Sequence, residues 1–201
     1  METFPRQYAR TRRFTVGAPR SFTISPNGHS ICYLQSSSGS DPSNKLWIHN
    51  PQSQTSMLLA DPQNLQGIGK NREISEDEQS RRERVREVGS GIVAFSSSSE
   101  SPNVCFTSDG TLYAANLDSK EIKGFETVGS VFDPQINPHG SLIAYVSDGD
   151  LRYIDSSGND FLVIGSEDQN KSHGVADFIA AEEMGRRRGY WWSPRGDRLL
   201  V

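Results

Sequence analysis

A repeated turn constrains this 201-residue chain most strongly. Ser25-Pro26-Asn27-Gly28 leads into SICYL, Asn137-Pro138-His139-Gly140 leads into LIAYV, and Ser193-Pro194-Arg195-Gly196 leads into RLLV. Proline presets the first turn dihedral, glycine accepts a positive φ, and the apolar run that follows alternates with the period of a strand. Three copies of one turn feeding one strand describe a repeat of strand units.

The spacing adds to this. Pro138 lies 112 residues after Pro26, and Pro194 lies 56 after Pro138, so the first gap is twice the second. Equal spacing predicts a fourth, degenerate copy near position 82, where the chain instead reads SEDEQSRRERVREVGSGIVAFSSSSE, a charged insertion followed by a strand. A second element recurs as CFTSDGTLYAANL at 105–117 and AYVSDGDLRYID at 144–155, each a strand, an Asp-Gly turn and a strand, which is a hairpin signature. A Pro-Gly turn, a strand, an Asp-Gly hairpin and a further strand form a unit of the length of a propeller blade.

The expected fold is therefore all-β. It is a partial β-propeller of antiparallel four-stranded blades, about three and a half of them, with a short helical insertion. KLWIHNPQSQT and LYAANLDSKE fit the outer part of a blade, where an alternating strand runs into a polar turn. The serine-rich tracts at 36–44 and 96–103 are loops within this pattern, because strands resume on both sides. Residues 75–88 are rich in helix formers and carry no apolar stripe beyond Val85 and Val88, so they read as a solvated helix.

The bulk chemistry excludes several functions. With 21 Lys and Arg against 25 Asp and Glu, the net charge of -4 supplies no drive toward nucleic acid or an anionic membrane. No basic start is followed by an apolar run, and no window approaches the length of a membrane span, so a soluble, cytoplasmic protein is expected. Cys32 and Cys105 stand far apart inside apolar strands, without a CxxC or a neighbouring histidine, and read as reduced core thiols rather than metal ligands. No metal and no cofactor is called for.

There is no GxSxG elbow, HExxH, P-loop or GxGxxG, and the four histidines have no nucleophile placed beside them. No catalytic residue can be named in this chain. The stretch that departs from the blade pattern is HGVADFIAAEEMGRRRGYWWSPRG, residues 173–196, a helix-like insertion just before a blade strand. Neighbouring residues on a helix point about 100° apart, so Glu182 and Glu183 converge on one cation only where the segment ends and turns, which Gly185 allows. Two carboxylates presented together suit an ammonium group, and a solvated Glu-Glu pair loosely matched by Arg186 to Arg188 is the alternative. Trp191 and Trp192 read as packing between blades, with Tyr190 sharing the face of Trp192.

The 173–196 stretch, with the Trp-Trp-Ser-Pro that closes it, resembles the double-glutamate segment of the dipeptidyl peptidase IV family. The opening FPRQYARTRRFTVGAPRSFTISPNG resembles the start of bacterial members of that serine peptidase family, and DEQSRRERVREVGSGIVAF resembles an arginine-bearing helix of its intracellular branch. The resemblance implies an eight-bladed propeller capping an α/β-hydrolase domain, and release of dipeptides from peptides with proline or alanine second. It implies that Glu182 and Glu183 bind the substrate's free amino terminus and that an arginine of RRERVR, Arg82, Arg84 or Arg86, reaches a substrate carbonyl, with Arg84 the choice among them. The implied partners are a peptide with a free N-terminus and the hydrolase domain of the same parent chain, and a homodimer of the full-length protein is compatible with it. Residues 1–201 are then the N-terminal portion of the propeller, ending within a blade, and the catalytic domain is absent from them. On this reading the 201 residues alone are expected to be prone to aggregation and to hydrolyse nothing. The competing readings are a stand-alone propeller binding module and another branch of the prolyl oligopeptidase clan, where paired glutamates are not expected.

Overall fold

The computed structural model describes residues 2–65, 79, 90–165 and 171–201. After a short N-terminal helix α1 (Phe4–Arg10), the chain lays down three antiparallel sheets of the same design and the start of a fourth. The first holds β1 (Arg20–Ile24), β2 (Ile31–Ser36), β3 (Ser43–Asn50) and β4 (Thr55–Ala60) in sequential order, with β5 (Ser90–Gly91) paired parallel to the start of β3. The second is β6 (Phe95–Ser97), β7 (Asn103–Ser108), β8 (Thr111–Asn116) and β9 (Ile122–Phe125). The third is β10 (Phe132–Ile136), β11 (Leu142–Ser147), β12 (Asp150–Asp155) and β13 (Asp160–Ile164). A further short helix, here α2 (Phe178–Glu182), precedes the pair β14 (Trp191–Trp192) and β15 (Leu199–Leu200). Successive four-stranded meanders of this kind are the blades of a β-propeller, as the repeat predicts.

The turns that create the repeat are superimposable in their hydrogen bonding. Gly28 N–H donates to Ser25 O at 2.8 Å, Gly140 N–H to Asn137 O at 3.0 Å, and Gly196 N–H to Ser193 O at 2.8 Å. Each turn joins the first strand of a sheet to its second. The matching turn of the second sheet is Ser98–Pro102, closed by Ser98 N–H on Asn103 O at 2.9 Å, so the degenerate copy lies there. Position 82 is outside the described residues, and spacing pointed to it because blade lengths are unequal. Only residues 126–131 join β9 to β10, whereas long insertions separate the other sheets, and a long and a short repeat together mimic two equal ones.

The Asp-Gly hairpins form as expected. Asp109 and Gly110 sit at φ 49° and 70°, and Asp148 and Gly149 at φ 51° and 82°, the two consecutive positive values of a type I′ turn whose twist suits the strands it joins. The third strand of each sheet ends in a polar residue that caps the next turn: Asn50, Asn116 and Asp155 each accept backbone N–H groups two and three residues on through Oδ1.

The sheets stack face to face, which explains why β7 and β11 carry unbroken buried runs instead of a strict alternation. Val104 and Phe106 face the first sheet, in a core with Leu34, Leu46 and Ile48, while Cys105 between them faces the third, in a core with Ile143 and Tyr145. Alternation along the strand thus fills two different interblade cores. A third core joins Ala144, Val146 and Leu151 to Tyr190, with Trp192 packed against it. Trp191 points the other way and stays half exposed, as alternation requires. The second and third sheets approach most closely at their first strands, where β10 contacts both β6 and β7. Their fourth strands lie on the outside, and Phe161 to Ile164 of β13 are all exposed. No helix among the described residues is long and apolar enough to cross a membrane.

Candidate functional site

The insertion between β13 and β14 is fastened at its base by two glycines. Gly174 lies at φ 79° against Val146, Leu151 and Tyr190, and Gly189 N–H donates to Gly174 O at 3.1 Å. The two backbones approach so closely that a Cβ on Gly189 would stand 2.5 Å from the Gly174 carbonyl carbon, a distance no side chain tolerates. Entry and exit of the segment are therefore side by side.

Between them the chain rises into α2. Asp177 caps it, its Oδ1 accepting from Ala180 N–H at 2.9 Å. The helix ends at Glu182, Glu183 is its C-cap, and Gly185 at φ 65° reverses the chain so that Arg186 N–H donates back to Ala180 O at 2.9 Å. This is the termination that two adjacent carboxylates need in order to share a cation. Glu182 and Glu183 are exposed, and neither has an ion pair or side-chain hydrogen bond among the described residues.

The three arginines that follow do not match the glutamates. Arg186 stands 4.0 Å from Asp177. Arg188 turns under the segment and grips Asp133 of β10 with two parallel bonds, Nε to Oδ2 at 2.7 Å and Nη2 to Oδ1 at 3.0 Å. Arg187 is exposed and lines a cavity of about 200 Å³ between β6, β10 and the returning arm, with Phe95, Phe132, Pro134, Thr107 and Gln135 on its walls. The loose Glu–Arg matching that composition allows is not formed, and the two carboxylates are left facing solvent.

Asp133 sits at φ 43° where the β10–β11 register shifts, so β10 bulges toward the insertion. Burial opposes the charge of Arg188, but the hydrogen bonds and attraction of Asp133 outweigh it and hold the guanidinium pKa above its ordinary value. Next along the return arm, the fully buried Tyr190 donates its hydroxyl to Asp133 O and Ala144 O, and Trp192 Nε1–H donates to Gln135 O at 2.9 Å. Burial, and then the Asp133 carboxylate, push the Tyr190 hydroxyl well above the usual phenol range. Arg188, Tyr190 and Trp192 of the arm thus lock the insertion to the third blade.

Residues 75–88, apart from Gln79, lie outside the described residues, and with them Arg82, Arg84 and Arg86. Asp133 and its grip on Arg188 were not anticipated from the sequence. The available signal was an acidic residue in front of a proline in a short strand bounded by buried Phe132 and Ile136, a position where a carboxylate needs a partner.

A model of the dipeptidyl peptidase IV (DPP IV) N-terminal region matches residues 91–201, more than half of the chain. The chain belongs to that family. The match covers the second and third blades, the double-glutamate insertion and the start of the fourth, so the geometry above is that of a DPP IV N-terminal region propeller. Membership places the chain within a dipeptidyl peptidase. The two buried thiols are free, and burial pushes the Cys32 thiol up to about 12 and the Cys105 thiol higher still, so neither is a nucleophile at neutral pH. Among the described residues no group of three or more His, Cys, Asp or Glu could hold a metal ion.

Proposed function

We propose that this chain is the substrate-selecting part of a serine-type dipeptidyl aminopeptidase that releases dipeptides with proline or alanine second. Glu182 and Glu183 take the free amino terminus of the peptide, and an arginine of the 81–86 segment, Arg84 by preference, takes a carbonyl of its first residues. A C-terminal α/β-hydrolase domain of the same parent chain supplies the serine, aspartate and histidine. The observation that carries this reading is the pair of adjacent, exposed, unmatched carboxylates at a helix end reversed by Gly185.

The chemistry follows from that pair. An ammonium offers three donors and two carboxylates offer acceptors on two sides, so a primary amine is held in direction as well as in place. Each such charge-assisted bond is worth roughly 1.5 to 3 kcal/mol when sheltered from water. An anchor of that kind at a fixed height above the hydrolase site counts residues from the amino terminus, which makes an exopeptidase. An acetylated peptide has neither the charge nor the three donors and loses the anchor.

The reading places the protein in the cytoplasm, and the reduced, buried Cys32 and Cys105 favour such a compartment. The test uses the full-length protein with Ala-Pro-anilide and its N-acetyl derivative. Replacing Glu182→Gln and Glu183→Gln together should raise KM for the free amine roughly a hundredfold or more and abolish discrimination between the two substrates. An unchanged KM would leave the peptidase reading without its amino-terminal anchor.

A further inference from the structure

We infer that the cavity beneath the return arm of the insertion, between β6 and β10, is a binding site for a carboxylate carried on a small apolar stem, with Arg187 as its cation. It concerns a different charge from the glutamate pair and does not rest on the anchor reading. The cavity has a cause in the strands that frame it. β10 carries Pro134, which has no N–H to give to a ladder, and beside it Asp133 lies at φ 43° where the β10–β11 register shifts. β6 pairs with β7 only from Phe95 to Ser97, so Val93 and Ala94 run past the end of the sheet. The two first strands meet further along, where Ile136 N–H donates to Ser96 Oγ at 3.3 Å, and leave a space of about 200 Å³ at this end.

Most of the wall is apolar, with Val93, Phe95, Phe132 and Pro134 on it. Phe132 is buried in the core that holds Tyr190, and Phe95 packs on the core of the first two sheets, so each ring is held back by its own packing. An apolar cavity of about 150 Å³ is enough for benzene, so this one has room for a ring or a branched chain together with the carboxylate it bears.

Three charges line the cavity, those of Asp133, Arg187 and Arg188. Asp133 is matched, its Oδ2 by Arg188 Nε at 2.7 Å and its Oδ1 by Arg188 Nη2 at 3.0 Å and Gln135 Nε2 at 2.9 Å. Arg187 is exposed and has no ion pair or hydrogen bond among the described residues. The described walls therefore hold one positive charge in excess, which favours an anion, repels a cation and adds nothing for a neutral guest. A guanidinium meets a carboxylate with two parallel donors, so the head group is oriented as well as attracted, and the Thr107 hydroxyl stands on the wall as a further donor. A bare small anion would leave the apolar wall uncovered, and for that reason the ligand is an organic acid. Such a carboxylate has two sources, a free acid or the C-terminal residue of a short peptide.

The test titrates the full-length protein and its Arg187→Gln variant by calorimetry with three probes. Phenylacetate has both stem and charge, phenylacetamide has the stem alone, and acetate has the charge alone. Phenylacetate should bind roughly tenfold more tightly than either of the others. Arg187→Gln, a change at an exposed position, should keep the melting temperature within a few degrees and abolish the preference for acid over amide. No measurable binding of phenylacetate, equal binding of acid and amide, or a preference that survives Arg187→Gln overturns the inference. So does acetate binding as tightly as phenylacetate, because the apolar wall then contributes nothing. Hydrolysis of Ala-Pro-Phe and Ala-Pro-Phe-amide separates the two sources. A several-fold lower KM for the acid that is lost in Arg187→Gln assigns the site to the peptide's own C-terminus, and equal KM values beside a positive titration assign it to a free acid. The Glu182→Gln, Glu183→Gln protein should bind phenylacetate at least as well as the parent, so failure of the anchor reading leaves this inference standing.

Discussion

The imidazole of His139 lies with Nδ1 2.6 Å from Oε2 of Glu100, while its Nε2 lies 2.8 Å from the carbonyl oxygen of Arg195. Both partners are acceptors, so the arrangement is satisfied in full when both ring nitrogens carry protons, as in an imidazolium. Glu100, His139 and Arg195 belong to the first turns of three successive sheets, so one cation clasps three blades along one rim.

The clasp makes stability depend on pH. The hydrogen bond to Glu100 first, then that to the Arg195 carbonyl, raise the pKa of His139 above its ordinary value, with Asp197 adding to the attraction. A raised folded pKa means that the stabilisation is fully present below the unfolded pKa and is lost as pH rises through the folded one. The Arg195 side chain is itself matched, its Nη2 pairing with Asp197 at 3.4 Å. His139→Gln should therefore lower the melting temperature at about pH 5.5 and make little difference at about pH 9. Thermal melts of the two proteins at both values check this, and a gap independent of pH would show that the ring acts only by packing.

Tyr190 offers a sharper test of the lock beneath the insertion. Its hydroxyl serves Asp133 O and Ala144 O inside a fully buried site. Tyr190→Phe keeps the ring and removes the donor that two carbonyls share, at a cost of about 1 to 3 kcal/mol. The urea midpoint should fall with an unchanged m-value. A midpoint within error of the parent would mean that water enters to replace the hydroxyl.

Cys32 and Cys105 should resist thiol reagents in the folded protein. Both are fully buried, in different interblade cores, and burial holds each as the unreactive thiol. Labelling with a disulfide reagent is expected only after unfolding in urea, when both react. Fast labelling of one cysteine in native buffer would identify a blade seam that opens by itself.

The turns were the most legible part of the sequence because each is dictated locally: proline fixes one dihedral, glycine another, and Asp109-Gly110 or Asp148-Gly149 leave one hairpin geometry. The face assignment of Tyr190 and Trp192 followed from strand alternation for the same reason. Blade spacing was misleading, since the chain can lengthen a connection without disturbing a sheet, and the degenerate turn at Ser98–Pro102 lacks the glycine that marks the others. The glutamates could be read as a pair from sequence, but the grip of Arg188 on Asp133 beneath the insertion could not. Asp133 and Arg188 are 55 residues apart, and nothing local in either stretch specifies the other.

The outer strand of the third blade presents an aggregation hazard. Phe161, Leu162, Val163 and Ile164 are four consecutive apolar residues of β13, each exposed, and among the described residues no strand pairs with the outer edge of β13. An exposed apolar edge invites pairing with the same edge of another molecule, and natural sheets guard such edges with charge. Leu162 is 54% exposed, so a lysine there costs little packing and places a charge in the middle of the edge. Leu162→Lys should raise the soluble yield of the 201-residue chain severalfold while leaving its melting temperature within a few degrees. Light scattering against concentration reads the outcome. Scattering unchanged by the lysine would mean that association uses another surface, the exposed Phe4, Tyr8 and Phe14 cluster beside α1 being the next to vary.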